Sequence, residues 1–489
     1  MKNIVVSFFI IVSYASLAQK NIFHNRNFWK TNPSIQTIEK KQSEVNNLIA
    51  LNSSAFDAVT YALLEKVDNS TIKYLLSKKG NHVNKLTHDS RTYIFWAAYK
   101  NNLEILKYLV SRDAKTTIID SHGYSVLNFA ATTGQTNTEL YDYLITMKSN
   151  IKTEKNHSGA NALLLVAPYL KNFRLVKYFL SKGASLNDKD YDGNGIFEYA
   201  AKGGDISFLK ILLEKGVQVG ENTMIFASQG LRKKKNTLET YKFLESIGVK
   251  VNVINARGKN PLHAISFNSK DLAIYKYFIN KGIDVNLKDN ENNSPFMNAV
   301  NSNSIEIVQF LSKYIKNINF KNKNGLSSLA LAVNKNSPEV VEFLINNGAD
   351  INTKDKEGNT LSYYLINNFR KNKKAIFEAK LSILEKNGLS INQIQNSGNS
   401  LLQIATQSNN LKLLKRLSVF NIDVNIKNKE GLSALQIAVM KAKDDKIVKY
   451  LLDIGADKNV KTVFGETVYD LASENELLQK GNNNISYLK

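Results

Sequence analysis

The chain has 489 residues, too many to share one hydrophobic core, so several domains or one extended array is expected. Its formal net charge is +22, from 65 Lys plus Arg against 43 Asp plus Glu, and its 43% hydrophobic content is ordinary for a folded protein. There is no cysteine, which excludes disulfides, thiol catalysis, Cys lipidation and thiolate metal sites, zinc-finger DNA binders among them.

The first element in chain order is a targeting segment. Lys2, the apolar run Ile4 to Ala15 and the small residues Ser16 and Ala18 read as a signal peptide over residues 1–18, cleaved before Gln19. The run is short for a membrane span, and no later segment is long and apolar enough to be one. The mature chain is therefore expected to be exported, periplasmic or extracellular, without a transmembrane segment. Residues 19–54 follow as a lead with capping helices, in which Ile35 and Ile38 back a solvated face of Glu39, Lys40 and Lys41.

Self-similarity then takes over. A turn residue, often Gly, is followed four positions later by an apolar residue and seven later usually by Ala. Clear copies are Gly123–Leu127–Ala130, Gly325–Leu329–Ala332, Gly398–Leu402–Ala405 and Gly431–Leu435–Ala438. The period lies mostly between 33 and 38 residues and runs from Ala55 to Gly465, giving about 12 repeats over residues 55–464. Each period reads as two short helices and a turn. After Gly325, Leu329, Leu331, Ala332 and Val333 form one apolar stripe, and Val340, Val341, Phe343, Leu344 and Ile345 form the next. Ser337-Pro338-Glu339 starts the second helix and Asn347-Gly348 stops it. Neither helix buries its stripe alone, so neighbours must stack. Residues 465–489 close the chain as a capping repeat and tail, with Val468, Leu471, Leu477 and Leu478 expected to cover the last face and Asn482 to Asn484 to fray.

On these residues the chain resembles the ankyrin-repeat family. The family pattern T-P-L-H-x-A stands here as Asn260-Pro261-Leu262-His263-Ala264-Ile265, and G-A-D-x-N as Gly348-Ala349-Asp350-Ile351-Asn352 and Gly455-Ala456-Asp457-Lys458-Asn459. The resemblance implies an all-α repeat fold, an ankyrin-repeat solenoid of helix-turn-helix units with β-turn fingers. It also implies a scaffold that binds a protein partner through its finger tips and concave face. Carried onto this chain, those positions hold Tyr99, Lys100, His122, Tyr124, Tyr169, Tyr191, Arg257 and Phe267. Tyr and Arg are common interface anchors, although such rings can equally pack between neighbouring fingers. The family position of His263 implies a structural hydrogen-bonding residue. A looser likeness, carried by Leu17-Ala18-Gln19 and the Lys/Asn-rich chain, is to exported ankyrin-repeat proteins of Bacteroidetes-type bacteria. It implies two alternatives: an accessory of an envelope enzyme such as a catalase, or a secreted host-directed effector.

Departures from the period mark candidate sites. Between Gly193 and Gly220 the spacing drops to 27, leaving a notch near residues 216–222 with no room for a full finger. The next repeat runs long and carries Arg232, Lys233, Lys234 and Lys235 between its helices; Arg370, Lys371, Lys373 and Lys374 occupy the matching place further on. These read as two basic loops on one edge, as drift in tolerant loops or as recognition elements. Elsewhere lysine is interleaved with acids, so weak attraction to anionic envelope surfaces is expected, and no nucleic-acid partner. His88, His122 and His157 recur at equivalent finger positions, but fingers about 10 Å apart cannot close three ligands on one metal. No phosphate loop, nucleophile elbow or H-E-x-x-H pattern is present. No catalytic residue, cofactor or metal is therefore expected, and no enzyme.

Overall fold

The computed structural model describes residues 21–43, 46–442, 444–480 and 484–489. The expected leader, residues 1–18, lies outside the described residues. Regular structure among them is helical, with one isolated antiparallel bridge between Lys321 and Ser327. The chain divides into two compact units, Met1–Asn236 and Thr237–Lys489, and the division falls directly after the first basic loop.

The N-terminal unit opens with the helices Arg26–Trp29 and Ile35–Lys41. Phe23, Trp29 and Ile38 are fully buried, and the Trp29 indole donates to the Phe23 carbonyl at 2.9 Å. Five helix pairs follow: Ala58–Glu65 with Asn69–Leu76, Tyr93–Tyr99 with Leu103–Val110, Val126–Thr132 with Thr138–Thr146, Ala162–Val166 with Arg174–Ser181, and Ile196–Gly203 with Ile206–Glu214. A last helix, Thr223–Gln229, completes the unit. The C-terminal unit begins at Leu238–Ser246 and continues with seven pairs, from Pro261–Ile265 with Leu272–Asn280 to Val468–Glu474 with Glu476–Lys480. The final pair buries Leu471 and Leu478 but leaves Leu477 half exposed. Of the stretch expected to fray, Asn484 is described; just beyond it Ser486–Leu488 makes a 3-10 turn that buries Leu488.

Three local devices recur along the repeats. The first helix is capped by a short polar side chain: Asp57 accepts from the Thr60 amide at 2.9 Å, and Ser327 accepts from the Ala330 amide at 3.2 Å. Ser337 stands at its N-cap position as expected, but its hydroxyl bonds the Glu339 carboxylate and makes no backbone cap. The finger is held by an Asp or Asn at its base; Asp120 Oδ1 accepts from the amides of His122 and Tyr124, both at 2.9 Å. Consecutive fingers then join through one backbone bond, such as Ser121 N–H to the Asp89 carbonyl at 3.0 Å and Lys356 N–H to the Asn324 carbonyl at 2.9 Å.

The third device ties the end of one first helix to the next repeat. Asn303, buried, donates its side-chain amide to the carbonyls of Ser266 and Ser269, both at 2.9 Å. Asn336 bonds the carbonyls of Val300 and Asn303 at 2.7 and 3.0 Å, and Asn475 those of Val439 and Ala442 at 2.7 and 2.9 Å. In the N-terminal unit Asn236 does the same to Ala201 and Ala227, at 2.8 and 2.9 Å. Helix C-termini leave carbonyls without intrahelical partners, and these amides supply them. Asn303→Ala leaves the buried Ser266 carbonyl unpaired and the Ser269 carbonyl with the Tyr275 hydroxyl alone, and is expected to lower the stability of the C-terminal unit by about 2 kcal/mol, read as a lower urea midpoint.

The notch is real in the backbone. Eight residues separate Ile206–Glu214 from Thr223–Gln229, against fifteen between Leu103–Val110 and Val126–Thr132. No finger forms there; Asn222 instead reaches back to the Asn194 side chain at 2.8 Å. The buried Glu198 carboxylate lies against Gly220, where a Cβ would meet its Oε1 at 1.4 Å.

Candidate functional site

The first helices and finger bases of the N-terminal unit carry a run of aromatic rings. Phe56 stacks on Tyr61 and His88 with centroids 5.5 and 4.7 Å away, and lies 5.7 Å from Trp96. Trp96 meets Phe129 edge-on at 6.0 Å; Tyr99 and Tyr124 approach the same Phe129 ring at 6.0 and 6.4 Å. Tyr61, Trp96 and Phe129 come from successive repeats at the same register, so stacking alone lines these three up.

Arg91 is the centre of this run. Buried beneath the fingers, its guanidinium sits 4.2 Å from the Phe129 centroid and 5.4 Å from that of Trp96. Nε and Nη2 donate to Asp120 at 2.8 and 2.7 Å, and Nη1 donates to Asp89 at 3.0 Å. One side chain therefore satisfies two carboxylates and stiffens the floor under the tyrosines.

The expected partner-binding residues fall into three groups. Tyr99, Tyr124 and Tyr169 come together: the phenols of Tyr124 and Tyr99 neighbour the Tyr169 hydroxyl, whose pKa is raised chiefly by burial. Tyr169 is 38% exposed, donates to the Thr132 carbonyl at 2.8 Å and lays its ring on Gly134. Among the described residues the hydroxyls of Tyr99 and Tyr124 meet no hydrogen-bond partner. Lys100 joins this group, its ammonium 5.2 Å from the Tyr99 centroid and its pKa lowered chiefly by burial.

The second group stands apart on the fingers. Tyr191, 71% exposed, rests its ring on Gly159 near Lys155, so it packs between neighbouring fingers. His122 Nε2 lies 3.3 Å from Asp89 Oδ2, and His88 Nε2 reaches the same oxygen at 3.4 Å. Two of the three recurring histidines thus meet at one carboxylate, while His157 turns away onto Gly123. Among the described residues no group of three or more His, Asp and Glu could hold a metal ion. The third group, Arg257 and Phe267, belongs to the C-terminal unit, where both are exposed.

The basic segments need correction. Lys234 donates to the Gly203 carbonyl at 2.9 Å and Lys235 to the Gln229 carbonyl at 3.0 Å, so both act as helix-end donors while Arg232 and Lys233 project outward. The second segment is no loop: Lys371–Lys373 forms a 3-10 turn and Lys374 opens the helix Lys374–Lys386, the extra residues being taken up as added helical turns. Arg370 there bonds the Phe369 carbonyl at 3.1 Å. The two segments also belong to different units.

His263 fills the role its position implies. Its Nε2 donates to the Asn293 carbonyl at 3.0 Å and Nδ1 accepts from the Asn260 amide at 3.2 Å, so one helix start is tied to the next finger. Burial lowers its pKa, which keeps this neutral arrangement in place.

The family pattern for ankyrin repeats (3 copies) matches residues 59–155, 224–322, 262–355 and 370–462, and that for ankyrin repeats (many copies) matches 164–213. The chain belongs to the ankyrin-repeat family. Curated ankyrin-repeat relatives include a fowlpox virus protein, 29% identical over 27% of this chain and 69% of its own length. A second fowlpox virus protein is 30% identical over 32% of this chain and 48% of its own length. The phosphocholine transferase AnkX of Legionella pneumophila is 23% identical over 42% of this chain, which spans 20% of that protein. Among solved structures, the ankyrin-repeat domain of Bcl-3 is 19% identical, covering 54% of this chain and 99% of that domain with a TM-score of 0.34. No helix among the described residues of this ankyrin-repeat chain is long and apolar enough to cross a membrane.

Sequence reasoning missed Arg91, Trp96 and Phe129, which organise the site. The available signal was register: Tyr61, Trp96 and Phe129 recur at the repeat period, and Arg91 is one of only eight arginines.

Proposed function

We propose that this chain is a noncatalytic protein-binding scaffold whose partner docks on the face built by Tyr99, Tyr124 and Tyr169. The observation that carries the reading is their convergence above the Arg91–Phe129 floor, with two hydroxyls left without an internal partner. Rigid aromatic rings with a polar tip lose little entropy on binding and make strong anchors. Family membership supports a scaffold, and no residue cluster described above is arranged as a nucleophile, base and oxyanion site.

The test is affinity capture of partners by the mature chain from its own envelope fraction, compared with the triple variant Tyr99→Ala, Tyr124→Ala, Tyr169→Ala. The expected result is a fold retained by far-UV circular dichroism with the partner lost, about 100-fold weaker if each ring contributes as a modest hot spot. Retained capture would overturn the assignment. Export is part of the proposal: the secreted or periplasmic form is expected to begin at Gln19, which N-terminal sequencing reads directly.

A further inference from the structure

Beside Tyr169 the N-terminal unit holds a pocket of about 380 Å³, within the size range of ligand sites. It lies between the loop around Asn137 and the segment from Tyr169 to Leu175, and it opens because one tie between repeats takes another route. Gln135 Nε2 reaches back to the Tyr99 carbonyl at 2.6 Å. In the following repeat the Tyr169 hydroxyl does that work instead, donating to the Thr132 carbonyl at 2.8 Å. Among the described residues nothing from Leu170, Lys171 or Asn172 bonds the preceding repeat, so the space between the two segments stays open. Leu170 and Leu175, both buried, give the pocket an apolar floor, and the Tyr169 ring gives it a wall.

The nitrogen groups of the pocket are donors that lack an acceptor. Asn172 Oδ1 accepts from the Arg174 amide at 3.0 Å, and Asn137 Oδ1 accepts from the Glu139 amide at 3.0 Å, so what each side chain has left is its NH2 group. One hydrogen of the Asn137 amide goes to Asn101 Oδ1 at 3.1 Å, and the other is free. Lys171 and Arg174 are exposed, and among the described residues neither meets a carboxylate. No acidic residue lines the pocket. Resting on the scaffold reading above, we infer that this pocket receives the C-terminal residue of the partner, its carboxylate held by Arg174 and Lys171 and its apolar side chain lying on Leu170 and Leu175 against Tyr169. Two features carry the argument together. Unpaired cations and amide donors call for an oxyanion, and the planar fork of an arginine matches a carboxylate. The buried leucines and the ring call for apolar area on the same molecule. A chain terminus brings both, whereas inorganic phosphate satisfies the cations and leaves the leucines uncovered.

The experiment uses the full chain and a fluorescein-labelled Gly-Ser-Gly-Ser-Ala-Leu peptide with a free carboxylate, compared by anisotropy with the same peptide amidated at its C-terminus. Amidation is expected to raise Kd about tenfold. Lys171→Gln combined with Arg174→Gln should raise the Kd of the free acid by a similar factor and leave that of the amide unchanged, the signature of a direct pairing. Lys115→Gln with Lys152→Gln, exposed lysines elsewhere in the same unit, is the control and should shift Kd less than about twofold. Equal affinity for acid and amide, no saturable binding of the acid, or equal weakening by the control pair would each overturn the inference. So would displacement of the peptide by less inorganic phosphate than unlabelled peptide, which would assign the pocket to a free oxyanion. Partner capture separates the two readings: if the tyrosine triple variant loses the partner while the Lys171, Arg174 variant keeps it, the scaffold stands and the terminus pocket falls.

Discussion

Gly203→Ala is expected to destabilise the N-terminal unit by about 3 kcal/mol, the upper end for overpacking a fixed backbone. Gly203 closes the helix Ile196–Gly203 where it crosses the 3-10 turn Ala167–Tyr169. A Cβ there would stand 1.8 Å from the Pro168 carbonyl oxygen and 2.9 Å from its Cα. Neither atom belongs to a flexible side chain, so two repeats must separate to admit one methyl group. The same movement displaces Tyr169, and partner capture should weaken along with stability. Gly216 is the control. Its φ of +72° is left-handed, yet nothing lies within 4 Å of an added Cβ. Gly216→Ala should therefore cost only about 1 kcal/mol, from backbone conformation alone. Urea denaturation followed by circular dichroism distinguishes the two, and equal losses would contradict the close-approach argument.

The second large effect is a pH dependence at Lys380. In the long repeat after Gly358 this lysine, 4% exposed, donates to the Ala332 and Val333 carbonyls at 3.1 and 2.8 Å. It performs the task that Asn303 and Asn336 perform in shorter repeats, from further along the chain. Burial, with Lys373 nearby, pushes its pKa down from 10.5 to about 8. Between those values the unfolded chain keeps a proton that the folded chain has released, so folding stability rises with pH across the window. Integrated, the rise is as much as about 3 kcal/mol. Tyr275, Tyr277 and Tyr364 have raised pKa values, and their ionisation in the unfolded chain lowers stability above about pH 10. The lysine effect is thus readable from pH 8 to about 10 as the difference between the parent chain and Lys380→Met. The parent should gain stability over that range; the variant should lack that gain. Parallel curves would show that Lys380 does not change its proton on unfolding.

The helix pairs were legible from sequence because each repeat restates one local rule: a cap, an apolar stripe and a glycine stop. Gly348, read as a helix stop, and Gly398, marked by the period, both sit in left-handed turns. The candidate site was only partly legible. Tyr99, Tyr124 and Tyr169 were found as surface positions, but their convergence depends on how repeats of unequal length stack, which no single period encodes. Tyr191 illustrates the limit: it looks like an anchor in sequence and serves as a spacer over Gly159. Lys234 and Lys235 read as surface charge, yet each completes a helix end. A lysine's destination is set by the nearest unsatisfied carbonyl, and that is a property of the neighbouring repeat.

The side-chain ties described above at the ends of first helices all point one way. Asn236, Asn303, Asn336 and Asn475, like Lys380, donate backward to carbonyls earlier in the chain. During synthesis the acceptors leave the ribosome first and remain hydrated until the following repeat delivers its donor. Those helix ends are thus completed only by the following repeat, whereas amides such as Asn319 and Asn425 reach forward to the carbonyls of Gly348 and Gly455. At these helix ends a shortened product leaves acceptors open, whereas one trimmed from its beginning leaves a donor without its carbonyl, so the two losses are chemically unlike there.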